Sequence, residues 1–342
     1  MNAPALPAIT ETGALGICQL KRLWARSQLA RQGHSAHGDE AEGRRDQLTL
    51  HALGLGLEQA RRALVNDVHS FADFERWIVA MAGTPPTTLA ERLNAALLDV
   101  PPPGHAQALL QQIDAMDAVL DGADLAHWHR EGYVIVRGAV PATLCSQTVE
   151  AVMTQQAATL DQPDSWYRGE RQGIMVQLFQ HPALTAIRSL PRIHKAFAQL
   201  WGHADLWPST DRVSFNPPER PDHPFQGPHL HWDVSLTQPI PFGTQGLIYL
   251  TNTSADQGAF TLVPGFHRRI DAWLDALPPI ADPRVQDLQA LGPRPIAAQA
   301  GDLIIWHQAL PHGSSPNRAT LPRFVHYLNY APARIEQQAV WR

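Results

Sequence analysis
With 342 residues, 44% of them hydrophobic and 17% charged, the chain is long enough for one large or two ordinary domains and reads as globular rather than disordered. A net charge of −5 leaves no cationic footprint for nucleic acid or an anionic membrane surface, and two cysteines, Cys18 and Cys145, cannot build a disulfide framework. No apolar run approaches the ~20 residues of a membrane span, and the first residues lack the basic-then-apolar pattern of a secretory leader, so a cytoplasmic setting is expected.

Residues 1–122 read as a helical region. Leu15 to Leu29 predicts a first helix, and Gln32 to Arg45, rich in Gly, His and charge, predicts a mobile loop. Leu48, Leu53, Leu55 and Leu57 lead into an amphipathic segment, Glu58 to Leu64. Ser70 can cap a helix carrying Phe71, Phe74, Trp77, Ile78 and Met81, which Gly83 ends. Thr88 and Glu91 have the spacing of a capping box for the next helix. Pro101 to Gly104 breaks that helix, and Ala106 to Leu120 forms another. The histidines here (His34, His37, His51, His69, His105) are scattered and read as surface or core-edge residues. The region is expected to pack on a catalytic domain or to pair two subunits.

The composition shifts after residue 122. Leu125 to Gly132 reads as a short helix and Tyr133 to Arg137 as a β-branched strand. Helices are expected over Val149–Leu160 and Ile187–Leu200. From Asp211 onward strand follows strand: Arg212–Phe215, His229–Val234, Gln245–Thr251, Ala259–Val263, Asp302–His307 and Phe324–Tyr330, with a loop helix over Asp271–Leu277. Short strands joined by Pro- and Gly-rich turns point to an α+β chain whose residues 123–342 form a sandwich or jelly roll.

The stretch from Gly227 to Ser235 holds His231-x-Asp233. In an extended strand these two side chains share a face, about 6.6 Å apart at ~3.3 Å per residue. They can therefore close on one metal ion. Two histidines and a carboxylate on one face suit Fe(II) and leave three coordination positions open. His267, His307, His312 and His326 are candidates for the third ligand. His312 and Arg323 flank a hairpin with its tip at Ser315–Arg318, so both can enter one cavity. Plainer readings exist: a strand-end His–Asp pair, a loop histidine at 312, and a surface ion pair at Arg323, with Arg318 on the turn as its rival.

Several ordered segments share a pattern: Gly132–Arg137, His231-Trp-Asp233, Gly258–Arg268, Gly301-Asp302, His312-Gly-Ser314 with Asn317, and Arg323, eleven residues beyond His312. Over about Leu125–Tyr330 the chain resembles the phytanoyl-CoA dioxygenase family of Fe(II)/2-oxoglutarate oxygenases. It departs from the family at Phe266, where a serine is usual. The resemblance implies a double-stranded β-helix (a cupin-like jelly roll) with Fe(II) on His231, Asp233 and His312. It also implies 2-oxoglutarate held by Arg323, Ser314 and Asn216; a guanidinium fork pairs well with a carboxylate. Asp233 stands where related halogenases leave room for chloride, so hydroxylation with O₂ is expected, 2-oxoglutarate going to succinate and CO₂. Desaturation, epimerisation or cyclisation with the same cofactors, and a non-catalytic metal sensor, are the alternatives. Zinc-dependent hydrolysis would give Arg323 no partner. The expected substrate is a small molecule, bound by a monomer or homodimer. Its pocket is expected between Trp166–Phe179, Gln238–Gly243 and Asp271–Pro295, with His229, Arg168, Arg171, Gln177 and Trp306 as contacts. Trp232 is expected to point away from the metal, and His267 and Arg268 to anchor a loop.

Overall fold
The computed structural model describes residues 5–34, 40–336, 338 and 340–342. Six helices open the chain: α1 (Leu20–Arg31), α2 (Glu40–Ala52), α3 (Leu57–Asn66), α4 (Phe71–Ala82), α5 (Thr87–Leu98) and α6 (Gly104–Ala115). Ser70 caps α4 as its sequence predicts, accepting from the Asp73 amide while Asp73 reaches back to the Ser70 amide.

Three expectations here are corrected. The loop expected over Gln32–Arg45 is already helical from Glu40, because Glu42 and Asp46 are drawn onto Gln19, Arg22 and Arg26 of the first helix. Its positions 35–39, with His37, lie outside the described residues. The Thr88–Glu91 capping box does not form. Pro86, in extended conformation, is the N-cap residue of α5, so Thr88 already lies inside the helix. The helix expected to run to Leu120 ends at Ala115, and Gln199 takes the amides of Val119 and Leu120.

Leu20, Leu53, Leu55, Phe74, Ile78 and Leu93 fill a core of the bundle, joined by Trp207 from far along the chain. Leu110 and Ile113 of α6 belong instead to the core between α10 and the outer face of the main sheet, α6 itself lying against α10.

After the bundle come α7 (Gly122–Glu131), closed by left-handed Gly132, and β1 (Tyr133–Val136). The expected helix over Val149–Leu160 is α8 (Ala142–Gln155), which starts straight after Pro141. The single helix expected over Ile187–Leu200 is two, α9 (Pro182–Arg188) and α10 (Pro191–Trp201), because Pro191 forces Leu190 out of the helical region. The remaining elements are β2 (Met175–Val176), β3 (Trp207–Pro208), β4 (Val213–Asn216), β5 (Thr244–Tyr249), β6 (Phe260–Leu262), α11 (Ile270–Asp275), β7 (Arg294–Pro295), β8 (Leu303–His307), β9 (His312–Ser314), β10 (Arg323–Tyr327) and β11 (Tyr330–Ala331).

The strands form a six-stranded antiparallel sheet in the order β1-β8-β5-β10-β4-β2, a three-stranded sheet β7-β6-β9 and the pair β11-β3. Side-chain alternation gives the large sheet two faces. Leu303, Ile305, Ile248 and Phe324 face the helices. Leu247, Tyr249, Ile304, Trp306 and Val325 face inward, in one core with Phe260 and Leu262 of the small sheet. The fold is thus α+β, with helices on the outside of the large sheet and the second sheet across its inner face.

The strand expected over His229–Val234 is also corrected: only His231 pairs, in a single antiparallel bridge with His312. Beyond His231 the chain leaves the sheet, because other partners take the carbonyls of Trp232 and Val234. No helix among the described residues is long and apolar enough to cross a membrane.

Candidate active site
The bridge between residues 231 and 312 is closed by two backbone hydrogen bonds. His231 N–H donates to the His312 carbonyl at 2.9 Å, and His312 N–H donates back at 3.0 Å. This brings together side chains 81 positions apart in sequence. Nε2 of His231 lies 3.3 Å from one Asp233 oxygen, and Nε2 of His312 lies 3.2 Å from the other. The three donor atoms all fall within 4.8 Å of one another.

The ring orientations are set by the backbone. Nδ1 of His231 sits 2.7 Å from the His229 carbonyl, and Nδ1 of His312 sits 3.1 Å from the Leu310 carbonyl. With a proton on each Nδ1, Nε2 is turned toward Asp233, where it donates when the ring is protonated and offers a lone pair when the ring is neutral. Lone pairs facing a carboxylate at such distances repel unless a cation, proton or metal, lies between them. Burial alone would raise the Asp233 carboxyl, but hydrogen bonds from His231 and His312 outweigh it and hold the group far below the usual carboxylate range. For His231, burial pulls downward and the Asp233 partner outweighs it, so its affinity for a proton is raised. Two neutral imidazoles and one carboxylate on one face fit a divalent iron.

Arg323 is fully buried at the start of β10. Its terminal nitrogens donate to Ser214 Oγ at 2.7 Å and Ser314 Oγ at 3.3 Å, and its Nε has no partner. Among the described residues no carboxylate lies within ion-pair distance of it. A buried guanidinium satisfied only by hydroxyls is costly, which marks it as a receptor for an anion. Ser314 links the two features, because it lies two residues past His312 on β9.

A cavity of about 760 Å³ opens on His231, Asp233 and His312, with Ser314 and Trp306 in its wall. Trp306 donates to Gln245 at 3.0 Å, and Gln245 donates to Asp233 at 2.7 Å. Asn216 sits opposite Arg323 in the sheet, but its amide donates to the Ser315 carbonyl and it faces a different hollow. His229 is exposed and packs edge-on against Phe225; Arg168 is exposed; Gln177 carries a buried amide nitrogen without a partner. None of these three lines the cavity, and Arg171 lines the hollow beside Asn216 instead. Gln172, Met175 and Phe179 of the expected pocket segment do line it, whereas Gln238–Gly243 and Asp271–Pro295 do not. That insertion turns toward the outside of residues 232–234. Trp232 is buried away from the triad, donating to the Ala309 carbonyl. Arg318 is exposed on its turn.

Three features of this site have little sequence signal. Ser214 shares a strand face with Asn216, and Gln245 shares one with Leu247 and Tyr249; strand alternation could have found both. The third is the opposite wall, built by Gln47 and His51 of α2 and by Leu57, Glu58 and Arg61 of α3. His51, expected to be an incidental histidine, accepts from the Thr210 amide through Nδ1 at 3.0 Å. Burial, aided by the Arg188 charge, lowers its pKa to about 4.

Two of the shared segments support the backbone. Asp302 is buried, and it accepts from Arg137 at 2.6 Å and from the Gly138 amide at 2.9 Å, tying β1 to β8. His267 lies over Gly132, where a Cβ would come within 2.4 Å of its ring.

The family model for phytanoyl-CoA dioxygenase (PhyH) matches residues 128–325. A Dictyostelium discoideum protein assigned by name to the phytanoyl-CoA dioxygenases is 20% identical over 257 residues, covering 60% of this chain and 74% of that protein. Among solved structures, the chain is similar to EctD from S. alaskensis with bound Fe: 19% identity, 65% of this chain, 81% of that chain, TM-score 0.48. It is also similar to EvdMO1: 21% identity, 61% of this chain, 49% of that chain, TM-score 0.46.

Proposed function
The chain belongs to the phytanoyl-CoA dioxygenase family, and from that premise we propose that it is an Fe(II)- and 2-oxoglutarate-dependent oxygenase hydroxylating an unactivated C–H bond of a small molecule. In this reading the two larger sheets are the halves of a double-stranded β-helix. His231, Asp233 and His312 hold the iron, and Arg323 with Ser314 receives the distal carboxylate of 2-oxoglutarate. Bound iron supplies the oxidative chemistry, with 2-oxoglutarate and O₂ consumed to give succinate and CO₂. The protein's own part is to fix the donors, orient the co-substrate and keep the C–H bond close.

One observation carries the reading: a fully buried guanidinium without an anionic partner, one hydroxyl removed from a two-histidine, one-carboxylate cluster. A hydrolytic zinc centre explains the cluster but not the guanidinium. The carboxylate at Asp233 fills the position that chloride would need, which favours hydroxylation over halogenation.

The cavity wall extends the reading to the N-terminal region. Gln47, His51 and Arg61 face the metal cluster across the cavity, so α2 and α3 are proposed to select a polar, hydrogen-bonding substrate. The module that does so ends with α5, since α6 packs chiefly on α10 and its Leu110 and Ile113 belong to a different core.

Adding Fe(II) and 2-oxoglutarate anaerobically is expected to produce a metal-to-ligand absorption band that a substrate perturbs, followed by succinate release on admission of O₂. A folded protein that takes up neither iron nor 2-oxoglutarate overturns the reading.

A further inference from the structure
Asp233 lies on a segment that no strand holds, although a metal-binding carboxylate needs its position fixed to about 0.5 Å. The carbonyls on either side of it belong to Trp232 and Val234, and in a regular strand they would pair with a neighbour. Here both are taken by one side chain about fifty residues away. Arg284 donates from one terminal nitrogen to the Trp232 carbonyl at 2.7 Å and from the other to the Val234 carbonyl at 2.6 Å. The second nitrogen also donates to the Arg342 carbonyl at 2.9 Å, and the guanidinium lies 4.8 Å from the Trp341 ring centroid.

Arg284 is itself fixed. It sits in a single turn, Pro283–Val285, and its amide donates to the Asp282 side chain at 2.8 Å. The C-terminal segment that it grips is latched to the same stretch. Leu236 N–H donates to the Arg342 carbonyl at 3.0 Å, Arg342 N–H donates to Ser235 Oγ at 3.1 Å, and that hydroxyl donates to the Val340 carbonyl at 2.6 Å.

We infer that Arg284 is a positioning residue for the metal-binding carboxylate. Its planar fork takes the place of the missing strand neighbour, holding residues 232 and 234 so that Asp233 stays aimed at His231 and His312. Only a guanidinium spans two carbonyls this way; an ammonium is a point donor. The inference rests on the metal-site reading above.

Outer partners that orient metal ligands typically contribute 10- to 100-fold in metal affinity. Co(II) binding to the full-length metal-free protein, followed by anaerobic calorimetry and by the visible spectrum of the bound ion, tests the inference. Arg284→Gln and Arg284→Lys are both expected to weaken Co(II) binding about 10- to 100-fold and to alter the spectrum. Ser70→Ala, which destabilises the bundle at a residue outside the cavity wall, is expected to leave both at the wild-type level, so the effect at Arg284 is not general loosening. If Arg284→Gln does not fold, Arg284→Lys, with its charge and stem retained, carries the test. Wild-type affinity and spectrum in a folded Arg284 variant overturn the inference. Absence of Co(II) binding in the wild-type protein overturns the metal reading itself, and the inference with it.

Discussion
The helical bundle of α1–α5 and the sheets beside it both wall the cavity, but they do so by different means. On the sheet side both histidines are aimed by backbone, through the 231–312 bridge and the carbonyls on their Nδ1 atoms, while buried hydroxyls hold Arg323. On the bundle side, polar groups project from helix surfaces and pair with one another, as Arg61 and Arg62 do with Glu58. Metal chemistry tolerates few residue types at a few distances. A substrate wall can be built from almost any polar residue that reaches it. The first is therefore constrained by chemistry, the second only by shape.

The largest expected effects lie on the sheet side. Asp233→Ala removes a proposed ligand and leaves two imidazoles. It is expected to abolish iron binding and to cut succinate formation by more than the roughly 100-fold that an outer partner can cost. Arg61→Ala, its counterpart on the bundle side, is expected to leave affinity for both iron and 2-oxoglutarate unchanged. Equal losses in the two variants, measured by anaerobic titration, would break the contrast.

Arg323→Met comes next. Losing a buried charge from an anion pair typically costs about 3–5 kcal/mol, so 2-oxoglutarate affinity is expected to fall by a factor of roughly 100 to 5,000 while iron still binds. In the absence of co-substrate the sign reverses. The guanidinium is then a buried charge with an orphaned Nε, and methionine fills the space without that cost. The metal-free variant is expected to melt no lower than the wild type. A marked drop in melting temperature would mean that Arg323 is already paired and has a structural role.

The contrast also sets what could be read from residues alone. That His231, Asp233 and His312 come together is legible because their residue types and order restrict the chemistry; the roles of these three and of Arg323 remain those proposed above. Ser70 was legible as a cap because capping is local. The strand around Asp233 was misplaced because its partner is a side chain, Arg284, and no periodicity reports that. The break between α9 and α10 was signalled by Pro191 but outweighed by the apolar spacing. His51 carried no signal, because its role depends on Thr210, 159 residues away. Tertiary partners of this kind leave no local pattern.

Acid stability probes both regions. His51 on the bundle and His307 on the sheet are each lowered to about 4, in both cases chiefly by burial. A histidine lowered from about 6.5 stays neutral when folded but takes a proton when unfolded. Its contribution to stability is complete above pH 6.5 and is lost as pH falls toward 4. Each such group contributes at most about 1.4 kcal/mol per pH unit across that window. His51→Gln and His307→Asn are each expected to flatten this loss in denaturant melts. A wild-type slope in His51→Gln would mean that the bundle face of the cavity is open to water.

The smallest expected effect decides whether the two regions unfold together. Ser70→Ala removes the cap of α4, a change of about 1 kcal/mol, at an exposed residue that does not line the cavity. The bundle has its own core, yet Trp207 enters that core from β3, and Arg92 of α5 donates to Asp205 at 3.0 Å and to the Leu206 carbonyl at 2.9 Å. These ties couple bundle to sheet, so a single denaturation transition is expected to shift as a whole. Two transitions, with only the earlier one moved by Ser70→Ala, would show that the bundle opens by itself. The wall facing His231, Asp233 and His312 would then be a separable cover, able to part from the sheets while those side chains stay in place.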